Sequence, residues 1–177
     1  MDLFLIKPKA GFTPQISHLT SMMDYARSTT LQAAHNLTTL QLDYVCDQQA
    51  NSIGALLAHI AAVEWFYQIF TFEDREPSDE EYKPWLAALE LGIKAKEEIK
   101  GQSLEYYTKL LDAVRKKTYE HFATLDDSWL YKETSSFWND QPANHYFMWF
   151  HVLEDEINHR GQMRFIRKRL PEHLGAS

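Results

Sequence analysis

The sequence predicts an all-α fold built as a four-helix bundle, and three features carry that expectation. Long stretches repeat apolar residues at the 3.6-residue spacing of a helix. Only six Gly and six Pro punctuate 177 residues, too few for the many turns of a sandwich or barrel. The hydrophobic fraction of 45% exceeds that of a disordered chain, and a chain of this length can bury its own core. One domain over residues 1–177 is expected, since no repeat or low-complexity tract divides the sequence.

The first helix is expected from about Thr13 to Leu37, with Ile16, Leu19, Met23, Ala26, Ala33 and Leu37 along one stripe. Thr38 to Ala50 is polar and irregular. Asn51 or Ser52 then supplies an N-cap for a second helix running to about Thr71. Phe72 to Pro84 reads as an acidic connector, followed by a shorter helix from Trp85 to Lys100 that stops at Gly101. Ser103 caps the third main helix, which carries Leu104, Tyr107, Leu111, Val114 and Phe122 and closes at Asp126-Asp127. Trp129 to Gln141 is aromatic and loop-like. The last helix is expected from about Pro142 to Leu170, where Pro171 stops it. The long connection between the second and third main helices leaves room for a crossover rather than forcing antiparallel neighbours.

Composition excludes several functions. The net charge is −7 and no basic face is present, which argues against nucleic-acid binding. Arg160, Arg164, Arg167, Lys168 and Arg169 cluster at the end of the last helix, where cations complement the macrodipole. One cysteine, Cys46, permits neither an intrachain disulfide nor a cysteine-based zinc site, and reads as a small apolar residue. A cytoplasmic protein is expected. Met1 to Ala10 lacks the basic and hydrophobic segments of a signal peptide. The apolar run from Ile53 to Phe70 contains His59, Glu64 and Gln68, which fits a core helix better than a membrane span.

The chemistry concentrates in His151-Val-Leu-Glu154-Asp155-Glu156-Ile-Asn158-His159-Arg160-Gly161-Gln162. Residues four apart share a helix face about 6 Å apart along the axis, so Asp155 and His159 can close on one ion. Imidazole and carboxylate together suit divalent metals such as zinc or nickel. His59 is the best third ligand: it sits in mid-helix beside Leu56, Ile60 and Val63, a face directed inward. Each part has a plainer reading as well. A core histidine is satisfied by one backbone carbonyl, and an Asp-x-x-x-His pair is often an ordinary ion pair. His151 lies two turns, about 12 Å, from His159 and is expected outside the coordination sphere, as a core residue or an orienting partner of a ligand. Glu156 is a second orienting candidate. Glu156-Ile-Asn-His159 also matches half of a dinuclear iron motif, but no other His follows a Glu at that spacing.

The pairing of Ser52-Ile-Gly-Ala-Leu-Leu-Ala-His59-Ile-Ala-Ala-Val-Glu64 with a late Asp155-Glu-Ile-Asn-His159-Arg-Gly-Gln162 resembles the DinB/YfiT-like superfamily, from the first helix to Arg169. The resemblance implies a bundle of up-down-down-up order, often dimeric, with a metal held by three histidines. Characterised members of that superfamily include transferases and isomerases that use low-molecular-weight thiols. His59 and His159 match two of the ligands, whereas Asp155 stands where the family usually has His. Two His and one carboxylate still form an open metal triad. The implied function is a metal-dependent transferase acting on a thiol and an electrophile. The alternatives are a non-catalytic metal-binding or dimerising bundle, and a metal-free helical module. A homodimer is expected from the resemblance and from Trp129, Tyr131, Phe137 and Trp138 in the aromatic loop, which core packing of that loop explains equally well. Neither nucleic acid nor membrane is an expected partner.

Overall fold

The computed structural model describes residues 3–135, 137 and 141–174, and they are mostly helical. Helix α1 (Pro14–Ala34) starts with proline, whose fixed φ suits the first helical position. The Asp127 carboxylate, from far along the chain, accepts the N–H groups of Gln15 and Ile16 at 3.0 and 3.2 Å. An anion there meets the positive end of the helix dipole. The helix ends before the expected Leu37 because His35 leaves it with an extended ψ of 135°, Asn36 follows with a left-handed φ of 61°, and Leu37 then turns into the core. The stretch read as irregular contains one short helix, α2 (Thr39–Leu42), closed by a reciprocal capping box between Thr38 and Gln41.

Helix α3 (Ile53–Phe72) is capped by Ser52, whose hydroxyl accepts the Ala55 N–H at 3.1 Å. Asn51, the other cap candidate, serves the following connection instead, where its side-chain oxygen accepts the Gly92 N–H at 2.8 Å. By length and composition α3 could cross a membrane, but 72% of that apolar stretch is buried within the protein. It is the central element, packing against both α7 (Leu104–Phe122) and α8 (His145–Arg167).

Three short helices, α4 (Asp79–Tyr82), α5 (Leu86–Glu90) and α6 (Gly92–Glu98), occupy the connection that follows α3. The single helix expected from Trp85 to Lys100 is broken at Leu91 and Gly92, with φ of 56° and 63°. That left-handed step cannot be continued in a right-handed helix. Helix α5 packs on α3 and places the Ala88 carbonyl beside His59.

After α7 comes a 3₁₀ turn, Asp127–Tyr131, and then a two-residue antiparallel ladder of β1 (Glu133–Thr134) with β2 (Ala143–Asn144). The ladder delays α8 beyond the expected Pro142, because Ala143 and Asn144 are extended. Asn144 then caps the helix by accepting the Phe147 N–H at 2.9 Å. Helix α1 packs on α8 and, less extensively, on α7. The aromatic loop turns part of itself inward: Leu130 is buried, half-buried Trp129 stacks on Phe72 at 5.4 Å, and half-buried Phe137 approaches Phe70 and Tyr67. Tyr131 is exposed, and Trp138 lies outside the described residues.

Candidate metal centre

The seam between α3 and α8 brings together Asp155 and His159, singled out by spacing, and His59, singled out by its place on an apolar helix face. One donor atom each from His59, Asp155 and His159 falls within 4.8 Å of the others. Asp155 Oδ1 lies 3.2 Å from His159 Nε2 and 3.6 Å from His59 Nε2. The two rings meet edge to face, with centroids 4.6 Å apart. The side chains of both His residues are 12% exposed and that of Asp155 14%, so the cluster is enclosed yet reachable.

The far nitrogens decide what this cluster can hold. His59 Nδ1 lies 2.8 Å from the Ala88 carbonyl, which can only accept, so the proton sits on Nδ1. His159 Nδ1 faces Gln162 Oε1 at 3.2 Å in the same sense. Both Nε2 lone pairs in the neutral rings therefore face the Asp155 carboxylate. Three electron-rich atoms converge where a cation is needed to reconcile them, a proton or a metal. Asp155 Oδ2 is buried and has no hydrogen-bond partner among the described residues. Backbone- and amide-anchored imidazoles beside a carboxylate are the donor set of a borderline divalent ion.

The electrostatics follow. Burial opposes the Asp155 charge, but when a proton on Nε2 makes the rings imidazolium, hydrogen bonds and charge from His159 and His59 win and hold its carboxyl far below the usual carboxylate range. Burial also opposes the His159 imidazolium, and Asp155 again outweighs it, raising the ring above its ordinary value. Tyr67, two turns beyond His59 on the same face of α3, feels the same site. Burial first, and then the Asp155 charge, push its phenol well above the ordinary tyrosine range. Its ring lies 5.9 Å from that of His151. Sequence reasoning missed Tyr67, although the spacing 59, 63, 67 places it on the ligand face.

His151 lies outside the cluster, as its two-turn separation from His159 required; its Nδ1 is 3.5 Å from Glu154. Glu156, weighed as an orienting partner, does something else. It turns away from the seam and is 1% exposed in the interior. There Arg27 Nε donates to it at 2.9 Å and Arg115 Nη2 at 3.1 Å. Both arginines also bind Glu64, on whose carboxylate the Thr118 hydroxyl closes at 2.7 Å. One charged residue from each long helix thus meets at the centre. The half-motif of a dinuclear site is dismantled by this turn, because Glu156 and His159 point to different places. Cys46 is half-buried rather than buried, and its thiol lies 3.7 Å from the Asp47 carboxylate.

The family model described as Mycothiol-S-transferase matches residues 18–171, a span that holds the seam cluster and all four central charges. No curated protein matches the chain. With the long match, the helical architecture and the His59–Asp155–His159 cluster in place, the chain belongs to the mycothiol S-transferase family, a DinB/YfiT-like family.

Proposed function

We propose that this protein is a metal-dependent S-transferase that joins mycothiol to an electrophile, with His59, Asp155 and His159 as the ligands of one zinc or nickel ion. The observation that carries the reading is the convergence of two Nδ1-anchored imidazoles on a carboxylate with a partnerless oxygen. Three protein ligands leave a position open, as in sites that work on a substrate rather than only bracing a fold. The ion, when bound, would favour the ionised form of a thiol at neutral pH.

The remaining work falls to the chain. The Ala88 carbonyl and Gln162 keep both Nδ1 protons in place, so that each Nε2 presents a lone pair to the site. Tyr67 stays protonated and is a hydrogen-bond donor along the same seam. In the transfer, the thiol sulfur forms a bond to the electrophilic carbon and the leaving group departs with its electron pair. The thiol proton passes to solvent.

Plasma mass spectrometry of protein purified without chelator is expected to find about one zinc or nickel per chain. Mycothiol conjugation should then proceed with metal-loaded protein and stop after stripping. Metal without conjugation would favour a non-catalytic binding protein, and an absence of metal would leave a hydrogen-bonded cluster only. The helices are proposed to follow the up-down-down-up order within one domain. A homodimer completes the reading, supported by the exposed Phe147 and Phe150 on the first turns of α8. Light scattering at micromolar concentration should give twice the chain mass, and a strict monomer would rule it out.

A further inference from the structure

Two glycines lie inside long helices, and only one has a reason within the fold. A Cβ on Gly54 would meet the Tyr107 hydroxyl at 2.6 Å, so close packing of α3 on α7 requires it. A Cβ on Gly161, within α8, would meet nothing within 4 Å. Glycine in a helix interior is disfavoured against alanine, so a position with free space above it has another cause.

That space is a cleft of about 680 Å³ between α8 and the segment before α3. Gly161, Asn158, Gln162 and Phe165 line it from α8, with Asp47 and Gln49 opposite. None of His59, Asp155 and His159 lines it, but it abuts the seam at Gln162, which also accepts the His159 Nδ1 proton. Its polar lining is mainly carboxamide, and neither Lys nor Arg is among the lining residues. Lys96 is tied to the Gln48 carbonyl, and Arg169 lies over the Phe165 ring while donating to the Phe165 carbonyl.

We propose that this cleft seats the non-reacting body of the thiol, a neutral and hydroxyl-rich group lying across the bare backbone at Gly161, with its sulfur directed towards His159. Carboxamides both donate to and accept from hydroxyls, and a floor without side chain allows close approach. A thiol whose body carries carboxylates finds no cation in the lining. The proposal rests on the S-transferase reading for the identity of its ligand.

The test is titration calorimetry with S-methylated mycothiol, which keeps the hydroxyl-rich body and lacks an ionisable sulfur. The parent protein should bind it, and Gly161→Leu, which fills the floor, should weaken binding about tenfold or more. Leucine is the better helix former, so the melting temperature of this variant should hold or rise. Loss of binding would then not reflect unfolding. S-methylglutathione should bind much more weakly than S-methylated mycothiol. Equal affinity of parent and variant, no binding by the parent, or equal binding of the two thioethers would overturn the proposal. A change of oligomeric state in Gly161→Leu without a change of affinity would assign the floor to a second copy and overturn it too. Binding by a parent protein that conjugates no electrophile would instead sink the transferase reading and leave this one standing.

Discussion

His59 satisfies two readings at once: a core histidine bonded to a backbone carbonyl, and a ligand whose other nitrogen is thereby set to bind. The carbonyl selects the tautomer and the tautomer aims Nε2 at Asp155, so the bland contact is part of the site. Replacing His59 or His159 with Ala should remove most metal affinity, whereas His151→Ala should leave it nearly unchanged. Asp155→His should retain the metal, since imidazole is an equally good donor and a His usually stands there in the superfamily. Gln162→Ala, which frees the His159 ring without removing a donor, should cost about 10–100-fold in affinity. Competition with a chromophoric chelator measures all of these variants. Full metal occupancy in a His59→Ala, His159→Ala double variant would show that the ion sits elsewhere. Of the candidate ligands, Asp155 and His159 are legible in the sequence because i, i+4 spacing on one helix fixes a shared face, and His59 because a polar ring stands in an apolar mid-helix face. The Ala88 carbonyl is not, for it arrives on α5 from a connection whose path no periodicity describes. Glu156 misleads for a related reason: spacing gives its direction from α8 but not what Arg27 and Arg115 offer on other helices.

Among the elements, long periodic helices are legible to within a few residues, and the errors fall where one residue leaves the right-handed helix. His35, with an extended ψ of 135°, ends α1, and Leu91 with Gly92 splits the expected connector helix. Leu91 is the least foreseeable, because a positive φ is unfavourable for a leucine and nothing in its side chain announces one. The start of α8 escapes the sequence because a two-residue ladder has no readable alternation. Helix α3 is the surest element, and its packing gives a sharp expectation. Gly54→Ala gains about 1 kcal/mol of helix propensity. Its Cβ would press on Tyr107, whose ring is 0% exposed and cannot swing aside. Overpacking costs about 1–3 kcal/mol. The clash should therefore prevail, and urea unfolding should show Gly54→Ala less stable than the parent. A rise in stability would mean that α3 and α7 have slack at this crossing.

At the scale of the molecule, the four long helices meet at four buried charges: Arg27 from α1, Glu64 from α3, Arg115 from α7 and Glu156 from α8. The formal charges cancel and every pair is hydrogen-bonded. Such a cluster adds little net stability over a well-packed apolar core, but removing one member leaves a buried charge unpaired. The expectation is that it specifies which helices meet and in what register, and α3 against α8 is the register that brings His59, Asp155 and His159 together. Glu64→Gln should cost about 3–5 kcal/mol near neutral pH, because two guanidinium groups lose a shared counter-charge. The pH dependence follows from the same carboxylate. Burial opposes the Glu64 charge, yet Arg115 and Arg27 prevail and hold its carboxyl below the ordinary 4.5. A carboxyl depressed on folding stabilises the native state above its unfolded value, and that stabilisation is lost as pH falls through the folded value. The stability gap between the parent and Glu64→Gln should accordingly be constant from neutral pH down to about 5 and narrow only below 4.5. Urea unfolding of both proteins across that range measures it. A gap that closed above pH 5 would show that Glu64 does not carry its charge in the folded protein, and that the four helices are held in register by some other contact.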